Sequence, residues 1–101
     1  MTPEGAVKKQ IREWLTEHGA YHFAAVQMGM GTRTVDLLCC MQGRFIGIEV
    51  KRPGVLKSSK FQTLVIKEII NAGGIAFVTD SLDYTVQYLQ RHHLGLYNPE
   101  T

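Results

Sequence analysis

Val7, Ile11, Trp14 and Leu15, with His18 in step, recur at helical spacing. Thr2 stands before them as an N-cap and Pro3 at the first helical position, and Gly19 closes the run. Tyr21 to Gln27 reads as a strand, and the segment from Met28 through Gly29, Met30 and Gly31 to Arg33 as a loop. From Thr34 to Lys51 the pattern predicts two strands around a tight turn at Gln42 and Gly43. Phe45, Gly47, Glu49 and Lys51 fall on one face of the second strand, and Ile46, Ile48 and Val50 on the other. Pro53 and Gly54 mark a loop before Ser59, which opens a second helix with Gln62 three residues on, the form of a capping box. Phe61, Leu64, Val65 and Ile69 are its expected buried stripe, and Gly73 and Gly74 end it. Ile75 to Thr79 is a short apolar run with the look of a central strand. Ser81 caps a last helix that turns Leu82, Val86 and Leu89 inward and runs to about His92. The tail from Gly95 to Thr101 reads as loosely held. The predicted order is αβββαβα, an α/β fold with a mixed central sheet flanked by helices.

At 101 residues the chain fits a single domain over 1–101. Its 45% hydrophobic content is that of an ordinary globular protein, and no apolar run approaches a membrane span. The polar start, Met1 to Gly5, lacks the apolar core of a signal peptide, so cytoplasmic residence is expected. Cys39 and Cys40 are adjacent and alternate across a strand, so a disulfide between them would be strained. Two cysteines are too few for a structural zinc site, and both are expected as buried thiols. His18 and His22 flank Gly19 and cannot share a helical face, which argues against a zinc pair. His92 and His93 suit a helix end.

The charges inside the apolar hairpin change the picture. With a two-residue loop, Met41 pairs with Arg44, Leu38 with Gly47 and Asp36 with Glu49; a three-residue loop would oppose Asp36 to Ile48 instead. Two carboxylates directly opposed at ~5 Å repel by roughly 3 kcal/mol at an effective dielectric of 20. Such a pair needs a cation. Lys51, two residues past Glu49 on the same face, is one compensator, and a divalent metal is the other. Net charge is only +2, but the cations cluster: Lys51, Arg52, Lys57 and Lys60 follow the pair, and Lys8, Lys9 and Arg12 crowd the first helix. Such clusters are usually just a solvated face; beside a carboxylate site they form a candidate phosphate track.

This order of elements, with Asp36 followed by the Glu49-x-Lys51 pattern, resembles the PD-(D/E)xK nuclease core of restriction endonucleases and archaeal Holliday junction resolvases. Glu4 at the start of helix one and Gln62 at the start of the next helix look closest to the virus-type replication-repair nuclease (VRR-NUC) family. The resemblance runs from Glu4 to about Thr79 and implies a restriction-endonuclease-like αβββαβα core. Where the family often has Pro before the Asp, this chain has Val35, a position that varies in the superfamily.

The resemblance implies a DNA endonuclease that uses Mg²⁺ or Mn²⁺. Asp36, Glu49 and the backbone carbonyl of Val50 would be the ligands, hard oxygen donors suited to those ions. Glu4 would bind or orient metal-bound water; its other reading is an acid favoured by the helix dipole. Lys51 would hold the attacking water or offset charge on the phosphate, and Gln62 would position water or phosphate while also serving the capping box. Lys8, Lys9, Arg12, Arg33, Arg52, Lys57 and Lys60 are the candidate DNA contacts. The implied substrate is branched DNA, above all a four-way junction, met by a homodimer whose symmetry matches it. The Met28 and Met30 loop and the Tyr97 segment are candidate interface material. Rival readings are a flap, nicking or restriction-type nuclease, a non-catalytic DNA-binding module on this fold, and a structural protein whose hairpin charges only pair with each other.

Overall fold

The computed structural model describes residues 1–25 and 34–96. The elements follow the expected order: α1 (Pro3–Glu17), β1 (Tyr21–Ala24), β2 (Leu37–Met41), β3 (Arg44–Val50), α2 (Lys60–Asn71), β4 (Ile75–Thr79) and α3 (Leu82–Arg91). Each helix begins on the cap its sequence announced. Thr2 Oγ1 accepts from the Gly5 N–H at 3.0 Å, and Ser81 Oγ from the Tyr84 N–H at 3.0 Å. At the other end of α1, His18 is the C-cap; its ring stacks on Trp14 at 4.0 Å.

The four strands lie in the order β1-β2-β3-β4, antiparallel except for the parallel pair β3 and β4. Met41 pairs with Arg44, Leu38 with Gly47 and Leu37 with Ile48, the register of a two-residue loop. Gln42 and Gly43 both have positive φ, 50° and 78°, as a type I′ turn demands. Glutamine is an unusual choice there, but its side chain also ties the turn to the C-terminal segment, where Oε1 accepts from the Gly95 N–H at 3.1 Å.

Helices α1 and α3 cover one face of the sheet. Val7, Ile11, Leu15 and Leu89 pack there on Leu37, Cys39, Met41, Ile46, Ile48, Val50, Ile75 and Phe77, a single buried cluster. On the other face α2 lies over β3 and β4 alone. It approaches closely at Gly47, where a Cβ would sit 2.6 Å from Ile69 Cδ1.

Three expectations are corrected. Phe61 and Leu64 are exposed, because α2 reaches only half of the sheet beneath it. Cys40 is exposed on the same uncovered face, whereas Cys39 is buried and its thiol pushed up to about 12 by burial. β4 ends the strand order instead of lying inside it. It reads as central because α2 and α3 bury both of its faces, and burial on two faces, not a neighbour on each side, makes a strand uniformly apolar. At the C-terminal end Leu94 and Gly95 are buried, with Gly95 against the Trp14 ring, and Leu96 is exposed; the rest of the tail expected to be loosely held lies outside the described residues. In α3, Thr85 and Leu89 are the buried residues and Leu82 and Val86 are half-buried. Among the described residues no helix is long and apolar enough to cross a membrane.

Candidate active site

The hairpin register brings Asp36, one residue before β2, to Glu49, the penultimate residue of β3. The two carboxylates lock onto each other's strands. Asp36 donates its backbone N–H to Glu49 Oε1 at 3.2 Å, and Asp36 Oδ2 accepts from the Val50 N–H at 2.9 Å. Bonds from backbone donors fix both side chains where chain geometry puts them, with little rotamer freedom left.

Glu49 is only 3% exposed, on the face that α2 covers. Burial, then the charge of Asp36, pushes its pKa up to about 7 against the pull of Lys51. Lys51 Nζ lies 3.4 Å from Glu49 Oε2, and Lys8 Nζ, from α1, lies 3.7 Å from Asp36 Oδ1. Each carboxylate thus has its own ammonium. Lys51 itself is anchored by its N–H to the Thr79 carbonyl at 2.8 Å, which extends the parallel pairing past the end of β3. Beyond it, Asp80 Oδ2 accepts from the Gly54 N–H at 2.9 Å and ties down the loop that leads to α2.

Gln62 joins the helix to the site. Its Oε1 accepts from the Ser59 N–H at 2.9 Å and from Lys51 Nζ at 3.1 Å, and its Nε2 donates to Glu49 Oε2. Ser59 Oγ accepts in turn from the Gln62 N–H at 3.1 Å. The capping box and the contact with Glu49 coexist in one side chain. Its amide orientation follows from the network, since an ammonium faces the oxygen and a carboxylate the nitrogen.

The other candidates are less convergent. Glu4 is exposed in the first turn of α1, and no third carboxylate, thiol or imidazole joins Asp36 and Glu49 in a metal-holding group among the described residues. Lys9 pairs with Glu13 at 3.9 Å on the surface of α1. Arg52, Lys57 and Lys60 are exposed along the loop and first turn that follow Lys51. Arg12 is half-buried and donates from Nε to His22 Nδ1 at 3.2 Å. Arg33 lies outside the described residues, as do the Met28 and Met30 loop and Tyr97.

A comparison with protein-family models, curated proteins and solved structures gave no significant match.

Two residues of the site's surroundings were not legible in the sequence. Lys8 stands out there as a cation but not as the partner of Asp36, because strand alternation says nothing about how a helix sits across a sheet end. His22 is weighed there only as a zinc ligand, whereas its ring nitrogens meet Arg12 and Thr16.

The donor set suits a hard divalent cation. Two carboxylates meet at one sheet end, one of them almost wholly buried, with ammoniums at 3.4 and 3.7 Å. A small, oxygen-seeking ion such as Mg²⁺ or Mn²⁺ fits these oxygens, and thiolate-seeking metals do not.

Proposed function

We propose that this protein is a metal-dependent endonuclease of the PD-(D/E)xK type, similar to the VRR-NUC family, that hydrolyses phosphodiester bonds in DNA. The observation that carries the reading is the bonded set of Asp36, Glu49, Lys51 and Gln62 at one end of the sheet. Mere pairing of hairpin charges would not need Gln62 or a buried Glu49.

Asp36 and Glu49, with the Val50 carbonyl, would hold Mg²⁺ or Mn²⁺. When bound, the ion supplies a water ionised near neutral pH and positive charge for the phosphoryl oxygens. Asp36 and Glu49 must both be ionised for this, which a raised pKa at Glu49 delays until near neutrality. Lys51 then has a proton-rich ammonium, held in place by Gln62 Oε1, to donate to the oxygen on which charge develops as the phosphorus becomes five-coordinate. Gln62 keeps Lys51 and Glu49 in register with each other. Hydrolysis forms the bond from water oxygen to phosphorus and breaks the bond to the leaving deoxyribose oxygen, which takes up a proton. Glu4, in the first turn of α1, would bind the ion or orient its water.

The proposed substrate is branched DNA in the cytosol, a four-way junction first, cut by a homodimer with one site per symmetric strand. The test is cleavage of a labelled four-way junction, a 5′ flap and plain duplex with Mg²⁺, Mn²⁺ or EDTA. Metal-dependent nicking of the junction is expected, reduced at least ~10²-fold in Lys51→Ala and Asp36→Ala that fold normally by circular dichroism. Cutting confined to flaps would keep the chemistry and change the substrate. Junction binding with no cutting under any condition would make the chain a binding module.

A further inference from the structure

Along α1, beside β1, runs an open groove of about 610 Å³ whose cations are Lys8, Lys9 and Arg12 and whose acids are Glu13 and Glu17. Lys9 takes Glu13. Lys8 belongs to the groove and to the carboxylate site at once, since its Nζ lies 3.7 Å from Asp36. Lys8 therefore links the groove to the site.

Arg12 is the unusual member. It is half-buried, yet no carboxylate pairs with it among the described residues. What holds it is a neutral ring: Nε donates to His22 Nδ1 at 3.2 Å, and His22 Nε2 meets Thr16 Oγ1 at 2.8 Å. Because Nδ1 accepts, the ring proton sits on Nε2 and goes to Thr16. Burial and then the Arg12 charge lower the His22 pKa, so the ring stays an acceptor at neutral pH. A guanidinium pinned through Nε has its forked end set in one orientation, and that fork matches two oxygens of a phosphate. Lys8 and Arg12 are four residues apart on α1, a step of about 6 Å along the helix, comparable to that between neighbouring phosphates of one strand.

We infer that this groove seats the phosphodiester backbone of the DNA strand that enters the carboxylate site, with Arg12 clasping one phosphate and His22 as the positioning residue for Arg12. The inference rests on the nuclease reading for what lies at the end of the groove, and its test is separable from that reading.

Binding of a fluorescein-labelled four-way junction and of a labelled single strand is measured by anisotropy in EDTA, from 50 to 200 mM salt, with Mn²⁺ binding measured separately by calorimetry. Arg12→Gln is expected to weaken DNA binding about tenfold and to lower the salt slope by about one phosphate contact, with Mn²⁺ binding unchanged. Arg12→Lys recovers the slope but not the full affinity, because a point charge replaces the fork. His22→Ala, in which Arg12 keeps its charge and loses its anchor, behaves like Arg12→Lys. If Arg12→Gln and His22→Ala both bind DNA as the unaltered protein does, while the junction is still cut in Mg²⁺, the groove assignment is overturned and the nuclease reading stands. If the Arg12 effects appear but no metal binds and nothing is cut, the groove stands and the nuclease reading falls. If the unaltered protein binds neither DNA, both fall.

Discussion

Glu49 is the residue whose ionisation couples stability to the site. In the folded chain its carboxyl titrates near 7, against an ordinary 4.5, because it is buried beside Asp36. A carboxyl whose folded value is raised favours folding in its protonated form. That contribution is complete below about 4.5 and is lost as pH rises through about 7. Above that, the ionised residue costs on the order of 3 kcal/mol in the metal-free protein. The melting temperature without metal is therefore expected to fall between pH 5 and pH 8, and Glu49→Gln to flatten that fall. Mn²⁺ should raise the melting temperature more at pH 8 than at pH 5.5, since cation and proton compete for the same oxygens. Thermal denaturation across pH, with and without Mn²⁺, reads all three, and an unchanged slope in Glu49→Gln would remove Glu49 as its source. This site was legible because Asp36, Glu49 and Lys51 break a period-two apolar pattern, and pattern breaks show in one dimension. Lys8 breaks nothing, so its place beside Asp36 appears only once α1 is set across the sheet.

Between elements, the site depends on how near α2 comes to β3. Gly47 permits that approach: a Cβ there would meet Ile69 Cδ1 at 2.6 Å and Val35 Cγ2 at 3.1 Å. Gly47→Ala should push α2 outward, cost about 1–3 kcal/mol, and lower the proposed cleavage by drawing Gln62 away from Glu49. Ile69→Val removes the colliding methyl, so the double variant should recover part of both losses; a fully additive double variant in urea unfolding would refute the coupling. The cap gives a second separation. Ser59→Ala removes one capping bond and should cost about 1 kcal/mol with cleavage nearly intact, because Gln62 keeps its bonds to Lys51 and Glu49. Gln62→Ala should cost a similar stability and a far larger share of the cleavage rate. Equal effects of the two on rate would demote Gln62 to a cap. Both roles of Gln62 were open from the sequence, since Ser59 and Gln62 have capping-box spacing. Which face of α2 would stay wet was not: the stripe of Phe61, Leu64, Val65 and Ile69 is continuous in helical period, and only the reach of the sheet below decides that Phe61 and Leu64 are exposed.

For the whole molecule, the order αβββαβα and the hairpin register follow from local pattern, whereas the half of the sheet left uncovered by the described residues follows from their three helices being too few for four strands on two faces. Tyr21 pairs with Cys40 and Cys40 with Phe45, so these three share a face, and the row beside them holds Phe23 and Leu38. Tyr21 is 73% exposed, Phe23 46% and Phe45 48%, on the side where no helix among the described residues covers β1 and β2. If the protein acts as the proposed homodimer, this sheet face offers a second copy apolar area to remove from water. Sedimentation velocity should then give a species near twice 11.4 kDa at tens of micromolar. Phe23→Glu should shift it toward the monomer, since a charge at the centre of the face is stranded when the face is buried. Phe23 is not bonded to Asp36 or Glu49, so Mn²⁺ binding should persist in that variant while paired nicking of the junction's two symmetric strands becomes single, uncoupled nicking. A monomer at every concentration, with paired nicking retained, would show that two sites need not be held together by this face or any other.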